Sequence, residues 1–191
     1  MEFEPLDDIS LEDLLGSDDE RSPGLHQSTI IKDVCQTLDP KRFSGTWDNE
    51  GLTRMIGGMV YEDILGCALV RRFPGQGDKP GEFTKDGITG SPDWLTDDWV
   101  LEEYKATDMS SRNCPDDPKF QHWMWQIKGY LTLIGSETGH ARLRVLFGRG
   151  DYSEFFSPKQ LLSWDLHFSA RELHENWAML VGHARRRGWL I

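Results

Sequence analysis

Several features are scarce in this 191-residue chain, and each absence excludes a class of protein. No apolar run approaches the roughly 20 residues that a membrane-spanning helix needs, so the sequence predicts no membrane partner. The three cysteines, Cys35, Cys67 and Cys114, are far apart and odd in number. Because they form no CxxC pair and no four-cysteine set, we expect reduced thiols, with neither a zinc site of that kind nor an iron–sulfur cluster.

Positive charge is also in short supply, since 21 basic residues face 32 acidic ones for a net charge of −11. Nine of the acids, and no lysine or arginine, lie in residues 1–20, which leaves the rest of the chain nearly neutral. Such a density of like charge predicts a disordered acidic tail over residues 1–25, followed by one folded domain over residues 26–191. The tail either keeps the protein in solution, docks on a protein partner, or folds over a basic cleft as a phosphate mimic.

The acidic start is the opposite of the basic start of a secretory signal peptide, so we expect a soluble, cytoplasmic protein. Its basic residues occur in clusters that can follow a row of phosphates only if the fold brings them together. These clusters are Arg71 and Arg72; Arg142, Arg144 and Arg149; and Arg185, Arg186 and Arg187.

Two β-rich runs, residues 90–95 and 99–106, flank three turn-forming residues, Thr96 to Asp98, and together predict a β-hairpin. Equal distances from the centre of that three-residue loop pair Asp93 with Leu101. Directly opposed residues point to the same face of a hairpin, and side chains alternate along each strand.

Asp93, Glu103 and Lys105 therefore share one face, with Asp93 diagonal to Glu103 at about 7–8 Å between backbones. Two carboxylates at that separation can close on one hard cation, and the ammonium of Lys105 points into the same space. This is a site for Mg²⁺ chemistry on a phosphate. The same three residues also fit a plain, solvated cluster of charges across the two strands.

Apolar residues with helical spacing predict a helix from Ser28 that ends before Pro40, and a second from about Asn49 to Leu65. The second helix is expected to bury Leu52, Met55, Ile56, Met59 and Val60. Glu62 flanks that stripe and Asp63 falls nearer its middle, where a carboxylate needs a metal or a cation as partner. One of these two acids is a candidate third ligand, and the pattern leaves open which.

Cys67 to Val70 is predicted to open a first strand before the irregular segment 75–81, which is rich in glycine and proline. After the hairpin, Asp117 and Pro118 mark the start of a helix and Gly135 marks its end.

On that helix, Gln126 and Tyr130 lie one turn apart and share a direction. Alternation predicts strands at 141–147 and 161–168, and Ser169 to Glu172 is a capping box for a last helix. The core order is helix, strand, strand, strand, helix, strand (αβββαβ), which predicts an α/β (α+β) fold with a mixed sheet flanked by helices.

Four short motifs in this order resemble the PD-(D/E)XK nuclease superfamily, over about residues 49–147. The last motif resembles the RecB-like exonuclease branch, which includes phage recombination exonucleases, and the whole implies a restriction-endonuclease-like core. The motifs are Gly58-x-x-x-Glu62, Gly90-x-Pro92-Asp93, Glu103-x-Lys105 and Gln126-x-x-x-Tyr130.

The resemblance implies a role for each matching residue. Asp93 and Glu103 would hold Mg²⁺ or Mn²⁺ together with the backbone carbonyl of Tyr104, and Glu62, rather than Asp63, would join the metal shell. Lys105 would orient or help to deprotonate the attacking water. Gln126 would position the nucleophile or a phosphate, and Tyr130 and Ser91 would contact the substrate.

The implied activity is that of a metal-dependent DNA exonuclease in recombination, repair or phage DNA processing, located in the host cytoplasm if a phage encodes it. Its DNA would be single-stranded or carry a free end. Two alternatives stay open: an endonuclease of the same superfamily, and a non-catalytic interaction module with a nuclease-like fold. The oligomeric state is not predicted. Trp94, Trp99, Trp123 and Trp125 fit core packing first, although an exposed one could stack on a base.

Overall fold

The structure is a computed structural model, and it describes residues 22–43, 49–72, 75–107, 115–147 and 160–191. Residues 1–21 lie outside these ranges, and with them most of the predicted acidic tail. Cys114 and Arg149 also lie outside them. None of the described helices is long and apolar enough to cross a membrane.

The described elements alternate between short strands and helices along the chain. In order they are β1 (Leu25–His26), α1 (Gln27–Leu38), α2 (Pro40–Phe43), α3 (Asn49–Arg72), β2 (Phe83–Lys85), β3 (Ile88–Gly90), β4 (Trp94–Leu95), β5 (Leu101–Thr107), a 3₁₀ turn (Pro118–Phe120), α4 (Gln121–Leu133), β6 (His140–Phe147), β7 (Gln160–His167) and α5 (Ala170–Arg186).

The strands form two sheets, one with the order β1-β3-β2 and one with the order β4-β5-β6-β7. In the second sheet β5 and β6 are parallel, whereas β4 pairs with β5 and β6 with β7 in antiparallel fashion. The connection from β5 to β6 contains α4, which packs against α5 and α1. This mixed sheet flanked by helices confirms the predicted fold class.

The main core lies between the second sheet and helices α1, α4 and α5. On β6 the alternation is strict: Ala141, Leu143, Val145 and Phe147 are buried, and the residues between them are half-exposed. The helix ends follow the predicted signals. The Ser169–Glu172 capping box is formed at the start of α5, and Gly135 follows α4 with a φ of +67°.

Helix α3 differs from the sequence prediction. It continues to Arg72, so Cys67 to Val70 is helical and the predicted first strand is wrong. Met59 and Val60, predicted to be buried, are 47% and 49% exposed. Apolar residues lie on more than one side of this helix, and periodicity alone does not select the side that packs. The predicted burial of Leu52, Met55 and Ile56 falls on side chains outside the described part.

The predicted helix before Pro40 is formed as α1, with Ile30, Ile31, Val34 and Cys35 buried and Leu38, in the last turn, 69% exposed.

A hairpin between β2 and β3 takes the place of the predicted first strand. Its turn residues, Asp86 and Gly87, both have positive φ values, +50° and +75°. An Asp-Gly pair between strand-forming residues is the sequence signal for this type of turn, and it was available in the sequence. Between α3 and α4 the chain therefore has four strands, β2 to β5, where the predicted αβββαβ order has three.

The β4–β5 hairpin is formed, but its loop is longer than predicted. Trp94 pairs with Glu102 and Leu95 with Leu101, so the turn is centred on Asp98 rather than on Asp97. The same register, continued by one residue, sets Asp93 directly opposite Glu103 instead of diagonal to it. Both registers keep the two acids on one face, because side chains alternate with a period of two.

The four tryptophans of the site region differ in exposure. Trp94 and Trp123 are 8% exposed and Trp125 packs against the core, as the core-packing explanation predicts. Trp99, in the β4–β5 turn, is 62% exposed.

Candidate active site

Asp93 lies immediately before β4. Its carboxylate accepts the hydrogen bond that a backbone carbonyl of a paired strand would otherwise accept from β5. Its Oδ2 accepts a hydrogen bond of 2.8 Å from the backbone N–H of Tyr104. In an antiparallel ladder the N–H and C=O of one residue face the same neighbour, so the Tyr104 carbonyl also faces the β4 side. The ladder stops at Trp94, and its register continued by two residues would put Pro92 opposite Tyr104, where proline has no N–H to donate. The Tyr104 carbonyl is thus left without a ladder donor from that side.

Strand β5 brings Glu103 and Lys105 together on the face that Asp93 shares. The Glu103 side chain is fully buried, and its Oε1 lies 2.6 Å from Nζ of Lys105 in an ion pair. Neither Glu103 oxygen has a well-aligned hydrogen bond from any described residue. From α3, Oε1 of Glu62 approaches Lys105 Nζ to 3.7 Å.

The charges in this group are out of balance. Glu62, Asp93 and Glu103 place three carboxylates around the single ammonium of Lys105. Burial, and next the nearby charge of Asp93, raise the pKa of Glu103 well above its usual value, and burial also raises the pKa of Glu62. Burial by itself would lower the pKa of Lys105, but the surrounding carboxylates outweigh it and raise that pKa instead. The surplus of negative charge is what a divalent cation would cancel.

Helix α4 forms a second wall of the group. Gln126 Nε2 donates a hydrogen bond of 2.8 Å to the hydroxyl of Tyr130. Burial raises the pKa of Tyr130, with a further contribution from the carboxylate of Glu103, which lies on the same side. The Tyr130 ring packs on Gly90, where an added Cβ would lie 2.8 Å from Cε1 of the ring. The glycine of the Gly90-x-Pro92-Asp93 motif is therefore needed for this close approach.

Two buried amides hold α4 at the turn that carries Gln126. Gln27, at the start of α1, donates from Nε2 to the backbone carbonyl of Gln126 at 2.8 Å. Asn176 of α5 donates from Nδ2 to the carbonyl of Trp125 at 3.1 Å. Gly129 leaves the space that the Gln27 side chain fills. Sequence reasoning missed these two residues, since only the tertiary contacts reveal them.

The opposite face of β5 carries a different carboxylate, Glu102. Its side chain is 4% exposed and accepts hydrogen bonds from Arg142 at 2.6 Å and from Arg144 at 2.9 Å. The hydroxyl of Tyr104 donates to it as well, at 3.2 Å. Burial would raise the pKa of Glu102, but the two arginines outweigh it and lower that pKa. Arg142 and Arg144, candidates for phosphate contacts in the sequence, are engaged in this ion pair.

A cleft of about 380 Å³ opens between α3 and the β4–β5 hairpin. Glu62 and Asp93 line it, and so does Asp63, which is exposed and, unlike Glu62, forms no ion pair with Lys105. Glu62 is thus the acid of the pair that reaches the group. Ser91 does not join the group, because its hydroxyl donates to Glu82 Oε1 at 3.3 Å.

The chemistry of these residues fits a divalent cation, although their side chains do not form a complete coordination shell. Within the described ranges, no three His, Cys, Asp or Glu side chains are gathered closely enough to hold a metal ion. Glu103 Oε2 is nevertheless buried and unpaired, and carboxylate and carbonyl oxygens are the ligands that Mg²⁺ and Mn²⁺ prefer. Glu62, Asp93, Glu103 and the Tyr104 carbonyl are the groups that could hold such an ion.

Comparison with known proteins identifies the fold. No protein-family model and no curated protein matches the chain. Among solved structures, the alkaline exonuclease LHK-Exo from Laribacter hongkongensis aligns with a TM-score of 0.58 and 15% identity, covering 88% of this chain and 89% of that one. LHK-Exo in complex with dAMP aligns with a TM-score of 0.51 and 13% identity, over 86% and 89%. SSO0001 aligns with a TM-score of 0.53 and 12% identity, over 90% and 80%. At these identities the likeness shows a shared fold, the fold of a known exonuclease.

Proposed function

We propose that this protein is a metal-dependent nuclease of the PD-(D/E)XK superfamily, in its RecB-like branch, and that it hydrolyses DNA phosphodiester bonds as an exonuclease. One observation carries the proposal. Glu103 is fully buried with one oxygen unpaired, beside Lys105, in a group whose carboxylates outnumber its ammonium. Such a group costs free energy in a protein that uses it only for structure, and clusters of this kind are typical of active sites.

Each residue then has a defined task. Asp93, Glu103 and the Tyr104 carbonyl hold the ion, and Glu62 joins them directly or through water. A bound Mg²⁺ or Mn²⁺ would stabilise charge on the phosphate and favour ionisation of a water molecule. Lys105 orients the attacking water.

The hydrogen-bonded pair of Gln126 and Tyr130 positions the nucleophile or a substrate phosphate from the α4 side. Ser91 would contact substrate only after leaving Glu82.

The exonuclease assignment rests on the likeness to LHK-Exo, an alkaline exonuclease that was crystallised with dAMP. It implies DNA with a free end as the substrate and a place in cytoplasmic DNA recombination, repair or phage DNA processing. The acidic tail, residues 1–21 of which lie outside the described ranges, remains a candidate segment for a protein partner.

The test is hydrolysis of end-labelled linear DNA and of closed circles, single-stranded and duplex, with Mg²⁺ or Mn²⁺ and with EDTA. We expect degradation of linear DNA only, lost with EDTA and in the Asp93→Ala and Lys105→Ala variants while both stay folded. Full activity in either variant would remove the site assignment. Cleavage of circles would instead assign an endonuclease, and no hydrolysis by the wild-type protein would leave a non-catalytic module.

A further inference from the structure

The cleft beside α3 extends beyond the acidic group, and its far end is basic. Arg71, in the last turn of α3, lies at that end, and Lys79 lines the cleft beside β4, since its neighbour Asp78 pairs with Leu95. Both side chains are exposed, and neither forms an ion pair with any other residue in the described ranges. This differs from Arg142 and Arg144, whose charges are taken up by Glu102.

The two ends of the cleft are too far apart to serve the same phosphate. Arg71 follows Glu62 by nine residues, which is about 14 Å along a helix that rises about 1.5 Å per residue. Val70 and Trp94 supply apolar wall between the ends. An acidic end that can hold a cation, an apolar middle and a basic end match the alternating parts of a nucleic-acid strand. The volume suits about one nucleotide of a single strand rather than a duplex.

We propose that Arg71 and Lys79 bind the backbone of a single-stranded nucleic acid along this cleft, with Arg71 at a phosphate at least one nucleotide away from the bond that is cleaved. The inference rests on the proposed function and names the substrate strand that its site would take. Arg71 neutralises the distant phosphate, Lys79 neutralises the backbone where it passes β4, and the strand between the acidic group and Arg71 passes over Val70. The subsite adds affinity without taking part in the chemical step.

The test is binding of a fluorescently labelled oligothymidylate in EDTA, measured by anisotropy over a range of salt concentrations. Each phosphate contact contributes about 0.7 to the slope of log affinity against log salt for a single strand. We expect Arg71→Ala and Lys79→Ala each to reduce the slope by about 0.7, and the double variant by about twice that. Arg71→Lys keeps the charge and should keep the wild-type slope.

The matched control is Arg185→Ala, since Arg185 is also an exposed arginine in the last turn of a helix but does not line the cleft. Its slope should stay at the wild-type value. A wild-type slope in the double variant, or an equal loss in Arg185→Ala, would overturn the subsite. Because EDTA removes hydrolysis, a wild-type protein that binds in this way but never cleaves DNA would contradict the proposed function alone.

Discussion

Glu102 and Glu103 are neighbours on β5, both are buried, and their surroundings are opposite. Glu102 has Arg142, Arg144 and the Tyr104 hydroxyl as partners, and its pKa is lowered. Within the described ranges Glu103 has only Lys105 as an ion-pair partner, which it shares with two other acids, and its pKa is raised well above the usual value.

The difference in partners distinguishes a carboxylate with a structural role, Glu102, from one that is available to bind a ligand, Glu103. A buried charge is tolerated when partners satisfy it, as they do for Glu102. Glu103 keeps a buried oxygen without a hydrogen-bond partner, and such a group destabilises the folded protein. A cation that binds to this oxygen explains why the protein has it. Variants of the two residues should therefore affect different properties.

The largest effect is expected from Glu103→Gln, which keeps the shape of the side chain and removes its charge. Hydrolysis should fall by at least about 100-fold, the size seen when one electrostatic group of a preorganised site is removed. The melting temperature without metal should stay the same or rise, because an uncompensated buried carboxylate is gone. Activity above a tenth of the wild-type value would contradict this role.

Glu102→Gln should have the opposite effects, a loss of stability with little change in activity. It leaves Arg142 and Arg144 without their carboxylate, and we expect a loss of about 2–3 kcal/mol in the free energy of unfolding, since the arginines stay partly solvated. Urea unfolding measures the loss. The folded fraction should keep its rate of hydrolysis. A large loss of activity at unchanged stability would show that Glu102, and not Glu103, is the glutamate needed for hydrolysis.

A smaller effect is expected from Pro92→Ala. Alanine restores an N–H opposite the Tyr104 carbonyl, and a hydrogen bond of about 1 kcal/mol would then compete with the cation, raising the half-saturating Mg²⁺ concentration about fivefold. Activity measured against Mg²⁺ concentration checks this. Pro118→Ala, at the start of the 3₁₀ turn before α4, is the control, and an equal shift there would refute the argument.

The smallest expected effect concerns how the stability of the metal-free protein depends on pH. The contributions of Glu103 and Glu102 to this dependence should have opposite signs. Glu103 keeps its proton in the folded state above the unfolded value of 4.5, so the unfolded state binds fewer protons and stability falls as pH rises from there. Glu102 has a lowered folded pKa, so its contribution is lost as pH falls below 4.5. Urea unfolding in EDTA from about pH 3 to pH 8 should show Glu103→Gln without the first limb and Glu102→Gln without the second. Identical profiles for the two variants would be inconsistent with the comparison.

The sequence predicted the shared face of Asp93, Glu103 and Lys105 because alternation along a strand is a local property. The turn centre was wrong by one residue, yet this moves the pairing by two positions along the partner strand and keeps the face. The exposed side of α3 at Met59 and Val60 could not be predicted, since it depends on which neighbour packs there.

The residues that hold α4 in position behind the site could not be predicted from the sequence either. Gln27 and Asn176 contact α4 across 99 and 51 residues of sequence, and no spacing indicates such a contact. In the sequence, nothing distinguishes Arg71, which forms no ion pair within the described ranges, from Arg142 and Arg144, which pair with Glu102. Only the position of Glu102 between the latter two separates them.

The most direct test is thermal unfolding of the wild-type protein, Glu102→Gln and Glu103→Gln with and without Mn²⁺. If Glu103 is held unpaired for a divalent ion, Mn²⁺ raises the melting temperature of the wild-type protein and of Glu102→Gln, and leaves that of Glu103→Gln unchanged. An equal rise in all three proteins, or none in the wild-type protein at saturating Mn²⁺, would contradict the account.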